Sequence, residues 1–238
     1  MDGDHPLGVT ALNKHKGLQQ FFKWLVEDEQ AIDRSPMLRV RSPKTPQKLI
    51  PIISEDDTRR LLGACKGRGF GHLRDEAIIR LLANTGARLS EVGTLTVADV
   101  DLSTESVHFR GKGARDRRVR IGSKTARALS RYLRARAKRN GGHLPELWLS
   151  TRGGVPLHPN GIKIRLKRLG QVAGVADVHA HRWRHSFAHE WKRAGADTGD
   201  LMMVLGWTSD DMPRHYAASA AAERAGETQQ RLGIGERV

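Results

Sequence analysis

The stretch HAHRWRHSFAHEW, residues 179–191, contains four histidines and two arginines in thirteen positions. Its spacing predicts a helix on which His181, His185 and His189 share one face, with Arg184 beside them. Neutral imidazoles in such a row can bind a transition metal, but a cation among the ligands would oppose metal binding. The planar guanidinium suits an oxyanion instead. Three interpretations are therefore open at this point: a metal site, a solvated charged face, or a phosphate-binding site.

The charge of the whole chain favours a polyanionic partner. Lys and Arg total 41 against 26 Asp and Glu, which gives a net charge of +15 and a pI near 10.7. Because acidic residues are also numerous, the sequence is that of a folded basic protein and not of a disordered basic tail. Nucleic acid is the leading candidate partner. A membrane surface ranks far behind it, because no basic amphipathic anchor stands out.

Length and composition limit the class of protein further. The 238 residues suffice for one domain with a smaller one attached. No apolar run approaches the roughly eighteen residues of a transmembrane helix, and the first residues lack the order of a signal peptide. The single cysteine, Cys65, excludes an internal disulfide and fits a reducing compartment. We therefore expect a cytoplasmic protein without a membrane partner.

Apolar periodicity and turn signals predict a mainly α-helical fold with a small antiparallel β-sheet, that is, an α+β class. An N-terminal helix within 11–30 carries an apolar stripe at Leu18, Phe21, Phe22 and Leu25. Four prolines at positions 36, 43, 46 and 51 then predict an extended basic linker. The hairpin is predicted over 105–122, and further helices are predicted from Ser54 through Leu62, over 72–86, from Ser123 to about Arg139, over 159–174, over 179–191 and over 209–220.

Four separated segments carry candidate chemistry, although each has an ordinary interpretation when taken alone. An arginine after a turn is usually surface charge, GKG is common in hairpin turns, and a tryptophan is usually a core residue. The candidates are Arg88 and Glu91 in TGARLSE (85–91), Lys112 in RGKGARDRR (110–118), His181 and Arg184 in HRWRH (181–185), and Trp207 and Tyr216 in LGWTSDDMPRHY (205–216).

In this order and spacing, the four segments together resemble the tyrosine recombinases, the phage integrase family. The family signature combines a TGxRxxE segment, a lysine in a β-turn, HxxR, a His or Trp after LG, and a tyrosine nine residues later. Trp207 and Tyr216 have that separation. The resemblance covers about residues 50–220 and implies the catalytic fold of that family.

The resemblance implies a role for each catalytic candidate. The phenol of Tyr216 would attack a phosphodiester, join the 3′ phosphate and free a 5′ hydroxyl. Arg88 and Arg184 would bind the non-bridging oxygens, on which negative charge develops. Lys112 would give the leaving oxygen its proton as general acid. The histidine–arginine stretch is accordingly interpreted as a phosphate-binding site, and neither a metal nor ATP nor another cofactor is expected.

Supporting roles are expected for the remaining residues. His181 would assist proton transfer and hydrogen-bond the phosphate. Trp207 stands where the family often has histidine, so it can donate only through its indole N–H. Glu91 would orient the site. Structural or solvated roles are expected for His179, His185 and His189, and Tyr132 has no motif around it that would make it a rival nucleophile.

The sequence departs from the family at its N-terminus. The family places a helical core-binding domain before the catalytic domain, of roughly a hundred residues by general domain size. Here residues 1–45 resemble only the last part of that domain and a basic linker. Residues 46–220 form the predicted catalytic domain, and residues 221–238 form a C-terminal tail that is a candidate for exchange between protomers.

The resulting prediction is a site-specific DNA recombinase, of the integrase kind found in phages and mobile elements. Double-stranded DNA is the expected partner. The protein is expected to be a monomer in free solution and a homotetramer on DNA. Accessory DNA-bending proteins are further candidate partners. Two alternatives remain open: an enzyme like the type IB topoisomerases, and a truncated DNA-binding regulator without turnover.

Overall fold

The computed structural model describes residues 7–43, 52–111, 116–209, 213, 225–226 and 228–233. The chain divides into two compact units, Met1–Leu49 and Ile50–Val238. Within the described ranges, no helix is both long and apolar enough to cross a membrane.

The first unit contains helix α1 (Leu7–Glu27) and a 3₁₀ turn (Pro36–Arg39). The prediction of an extended linker is wrong for the 3₁₀ turn. Ser35 caps this turn by accepting a hydrogen bond from the Met37 N–H (3.2 Å), and the fixed φ of Pro36 suits its first position. The predicted apolar stripe of α1 is largely exposed, since Leu18 and Phe21 are 47% and 50% accessible.

The described part of the second unit is mainly helical, as predicted, with a small antiparallel sheet. Its strands are β1 (Val100–Asp101), β2 (Ser106–Phe109) and β3 (Arg117–Arg120), in the order β1-β2-β3, with Val107 opposite Val119. Its helices are α2 (Glu55–Ala64), α3 (Phe70–Thr85), α4 (Leu89–Gly93), α5 (Ser123–Ala137), α6 (Pro159–Ala173), α7 (Ala180–Arg193) and α8 (Thr198–Leu205). The fold class and the hairpin predicted from the sequence are confirmed.

Helix α3 is the central element of this unit because it packs against α2, α5 and α7. Its inward residues are fully or almost fully buried, among them Ala77, Ile78, Leu81 and Leu82. Aliphatic and aromatic burial of this kind supplies most of the stability of a domain. The helix is thus a fixed scaffold for the residues that follow its C-terminal end.

Some element boundaries differ from the sequence prediction. Gly122, in an extended conformation, occupies the N-cap of α5, so Ser123 is the first helical residue and not the cap, and α5 ends at Ala137. Helix α2 continues to Ala64, beyond Leu62. The short helices α4 and α8 were not predicted. The helix expected over 209–220 lies outside the described residues except for Ser209 and Pro213.

Candidate active site

Arg88 is held at the junction between α3 and α4. Gly86 ends α3 with a φ of +58°, a left-handed conformation that glycine adopts without strain. A Cβ on Gly86 would lie 2.8 Å from Cδ2 of Leu205, so glycine also permits the close approach of α8. Arg88 then becomes the N-cap residue of α4, and its side chain remains 42% exposed. The guanidinium is therefore fixed at its base and accessible to an anion.

Glu91 binds Arg88 and a second arginine that the sequence analysis did not single out. Its carboxylate accepts hydrogen bonds from the Arg88 backbone N–H (2.7 Å) and Nη1 (3.1 Å). Nη1 and Nη2 of Arg117 donate to the same carboxylate at 3.0 and 2.9 Å. Burial opposes ionisation of Glu91, but the hydrogen bonds from Arg117 and from the Arg88 backbone keep its pKa below the usual value. Glu91 is therefore ionised, and its carboxylate orients Arg88.

Arg117 links β3 to both α4 and α8. Besides its paired bonds to Glu91, its Nε donates to the carbonyl oxygen of Val204 at 2.7 Å. Its Cζ lies 5.1 Å from the ring centroid of Phe109, a distance typical of a cation–π contact. One sequence signal could have indicated this residue: Arg117 shares a strand face with buried Val119, two positions away.

Arg184 is buried at the same end of α3. The residue is only 2% exposed, and it donates from Nη1 to the Gly86 carbonyl oxygen (3.0 Å) and from Nη2 to that of Leu205 (2.7 Å). Its Cζ lies 5.1 Å from the Trp207 ring centroid, and Trp207 is itself 9% exposed. These contacts position the guanidinium firmly.

His181 lies one turn before Arg184 on α7. Its ring packs edge-to-face against His185 with centroids 4.8 Å apart, as expected for positions that share a helix face. Burial lowers the pKa of His181, and the charges of Arg184 and Arg88 lower it further. The neutral imidazole therefore predominates at neutral pH and can accept a proton or donate one hydrogen bond.

Four of the six predicted catalytic residues come together at the C-terminal end of α3. These are Arg88, His181, Arg184 and Trp207. Lys112 and Tyr216 lie outside the described residues. Across the part of the chain that the structure describes, no group of three or more His, Cys, Asp or Glu side chains is arranged to hold a metal ion. The described side chains thus form a cationic site with one neutral histidine.

The other tyrosine, Tyr132, is poorly placed to act as a nucleophile. It is fully buried, its hydroxyl donates to the Leu147 carbonyl oxygen (2.9 Å), and it accepts from the Leu149 N–H (3.0 Å). Burial raises its pKa to about 12. Burial likewise raises the pKa of the Cys65 thiol to about 12, which disfavours the reactive thiolate.

Comparison with known proteins agrees with this geometry. The sequence model of the phage integrase family matches residues 51–223. Tyrosine recombinase XerC of Ralstonia pickettii (strain 12J) is 32% identical over 226 residues, which cover 88% of this chain and 69% of the relative. Tyrosine recombinase XerC of Bacillus pumilus (strain SAFR-032) is 32% identical, over 83% of this chain and 66% of the relative. The chain thus spans about two thirds of the length of the curated relatives it matches.

Solved structures show the same fold. The XerA recombinase is 27% identical with a TM-score of 0.67, over 91% of this chain and 76% of the other. XerH, in a post-cleavage complex with a palindromic difH substrate, has a TM-score of 0.73 at 19% identity, over 97% of this chain and 69% of the other. Together with the family match, these similarities show that the chain belongs to the phage integrase family, the tyrosine recombinases.

The buried Arg117–Glu91 pair leads to a stability prediction. Arg117→Met removes the two Arg117 donors from a carboxylate that is only 7% exposed and leaves the two donors from Arg88. Breaking a buried pair on one side typically costs about 3–5 kcal/mol, and the retained Arg88 bonds place this variant at the lower end, about 3 kcal/mol. We expect urea unfolding to show a loss of about that size. The neighbouring Arg118 is 60% exposed, with its nearest carboxylate at 3.8 Å, so Arg118→Met is the matched control and should cost less than about 1 kcal/mol. Equal losses for the two variants would contradict the proposed role of the pair.

Proposed function

We propose that the protein is a site-specific DNA recombinase that cleaves and rejoins strands through a 3′-phosphotyrosyl intermediate on Tyr216. The observation that carries this proposal is the convergence of Arg88, Arg184 and His181 at one end of α3 in a member of the tyrosine recombinase family. Two guanidinium groups and a neutral imidazole complement a phosphodiester that gains negative charge during attack.

In the proposed first step, the phenolic oxygen of Tyr216 forms a bond to phosphorus as the bond from phosphorus to the 5′ oxygen breaks. Lys112 gives its proton to that oxygen, and the neutral imidazole of His181 assists by accepting the phenolic proton. Trp207 packs against the Arg184 guanidinium and positions it. A 5′ hydroxyl from a second strand reverses the step. The phosphotyrosyl bond conserves the energy for rejoining, so neither ATP nor a metal is required.

The reaction type is tested by trapping. A substrate with a nick next to the cleavage position loses the leaving strand and should hold the protein as a covalent adduct. Sequencing DNA fragments recovered in such adducts would also supply the target site. Conversion of paired sites into Holliday junctions would distinguish a recombinase from an enzyme like the type IB topoisomerases, which relaxes DNA alone. Sequence-specific binding with no adduct would instead favour a regulator without turnover.

The biological context is a finer question. We retain integration or excision of a phage or mobile element as the first candidate. The curated relatives are named XerC, and this favours resolution of chromosome dimers as a second candidate. Recovered target sites would separate the two, because an attachment site borders a mobile element whereas a resolution site lies in the chromosome itself.

The role of Lys112 has its own prediction. Lys112→Ala should cleave an ordinary phosphodiester slowly, because the leaving 5′ oxygen lacks its proton donor. A substrate with sulfur at the 5′ bridging position should restore cleavage to near the wild-type rate, since a thiolate leaves without protonation. Single-turnover cleavage measures both substrates. If the sulfur substrate is cleaved as slowly as the ordinary one, Lys112 is not the general acid.

The C-terminal tail is proposed to act in assembly. We propose a monomer in solution and a tetramer on paired sites, assisted by docking of residues 221–238 on a neighbouring protomer. Deleting these residues should spare cleavage of a single site and impair synapsis of two. Sedimentation on paired-site DNA measures the assembly, and unchanged tetramer formation after the deletion would refute the role of the tail.

A further inference from the structure

Helix α5 carries a continuous row of cations on its outer surface. Lys124, Arg127, Arg131, Arg134 and Lys138 are all exposed. At 3.6 residues per turn, their spacing confines them to an arc of about 80°. Between Lys124 and Arg134 the row extends about 15 Å, at 1.5 Å per residue. We call these five residues the α5 basic row.

The fold accounts for only one of these five cations, Arg131, which pairs with Glu76 of α3. Arg136, on the other side of the helix, is the structural arginine of α5: it is 3% exposed and binds the carbonyl oxygens of Gly142, Leu144, Glu146 and Leu147. The five cations of the row point outward instead, and like charges at helical spacing destabilise a helix. Their arrangement therefore indicates a function in binding.

Almost nothing on the protein neutralises the α5 basic row. Glu76 on α3 accepts two hydrogen bonds from Arg131 at 2.8 Å each, but it also binds Arg80 at 2.8 Å, which adds a sixth cation to the surface. Among the described residues, Lys124, Arg127, Arg134 and Lys138 form no ion pair. A shallow cleft of about 460 Å³ runs between the two helices and is lined by most of these cations.

The row leads away from the candidate active site. Gly122, at the start of α5, donates to Asn84 beside the C-terminal end of α3. Arg131 pairs with Glu76, ten residues before Gly86, which corresponds to about 15 Å along α3. Arg139, next to the far end of the row, packs on Phe70 at the start of α3. The row therefore begins beside the active-site end of α3 and extends away from Arg88 and Arg184 toward the start of that helix.

We propose that the α5 basic row binds the phosphate backbone of a second segment of duplex DNA, apart from the segment at the active site. At 1.5 Å per residue the row is about 21 Å long from Lys124 to Lys138, which is long enough to contact several phosphates of one duplex, whose charges are closely spaced. The four cations of the row that form no ion pair among the described residues suit such sequence-independent contacts. A recombinase acts on two duplexes, and this proposal rests on the proposed function to that extent.

The test is the stoichiometry of DNA binding by the full chain at low salt. Short duplexes of random sequence, about two helical turns long, should bind two per wild-type chain. The double variant Arg127→Gln with Arg134→Gln should bind only one duplex. If a second duplex still binds, the salt slope of that binding, which is the slope of log binding constant against log salt concentration, should be smaller by about 2, at about 0.9 per lost phosphate contact. The matched control is Lys66→Gln with Arg68→Gln, two exposed cations outside the row, and it should still bind two.

Each outcome decides for or against the proposal. One duplex per wild-type chain, or two per double variant with an unchanged salt slope, would overturn it. Competition gives a further outcome. If single-stranded RNA displaces only the second duplex, and does so at a far lower concentration than competing duplex DNA, the proposal is overturned and the row is an RNA site. Covalent adduct formation on the nicked substrate is measured in parallel. If the wild type forms no adduct, the proposed function is refuted, but the number of duplexes bound per chain still tests the α5 basic row.

Discussion

Tyr216→Phe is expected to abolish covalent adduct formation and strand cleavage while DNA affinity stays within about twofold of wild type. The substitution removes only the nucleophilic oxygen and keeps the ring, so phosphate binding by Arg88 and Arg184 should persist. Single-turnover assays on a nicked substrate, together with gel-shift titrations, measure the two quantities. Added EDTA should change neither, because no step of the proposed mechanism uses a metal.

The matched control is Tyr132→Phe, which alters the only other tyrosine of the chain. Its hydroxyl bonds to two backbone groups in the core, so this variant should lose stability but retain cleavage. An adduct formed by Tyr216→Phe would refute the assignment of the nucleophile. Loss of cleavage on chelation would revive the metal-site interpretation of the histidine-rich helix.

The second large effect is expected at the two phosphate-binding arginines. Arg88→Ala and Arg184→Ala should each raise the cleavage barrier by about 3 kcal/mol or more, as for loss of one donor to a developing oxyanion. Arg88 gives the cleaner measurement because its side chain is 42% exposed. Arg184 also donates to two backbone carbonyls, so its loss should lower stability as well.

Arg182→Ala separates the two effects of Arg184. Arg182 lies on the same helix and its side chain also binds backbone carbonyls, but those of Ala176 and Ile52, which lie outside the set of catalytic candidates. This control should lose stability and keep its cleavage rate when assayed below its unfolding temperature. A rate loss as large as that of Arg184→Ala would mean that both arginines act only through folding.

The sequence predicted the parts of the site that depend on local order. The four-residue spacing of His181 and His185 indicated a shared helix face, and their rings are in contact in the structure. Gly86 was predicted to end α3, and its left-handed φ confirms this. Both features are determined within a few residues, where helix periodicity and glycine conformation decide the outcome.

Features that depend on distant partners could not be predicted in this way. Arg117 and Glu91 are 26 residues apart, and only the tertiary fold brings them together. Arg184 was predicted as a phosphate ligand, but its burial against Gly86 and Leu205 depends on α8, a helix that was not predicted. The apolar stripe of α1 shows a second limit of the sequence. Helical periodicity indicates that apolar residues share one face, but it does not indicate whether another part of the protein covers that face.

The most direct test of the central claim is to identify the residue that carries the DNA. Wild-type protein is trapped on a nicked substrate, digested with nuclease and protease, and analysed by tandem mass spectrometry. The account predicts a nucleotide joined through its 3′ phosphate to the peptide that contains Tyr216. Attachment at any other residue, or strand cleavage with no covalent peptide, would contradict it.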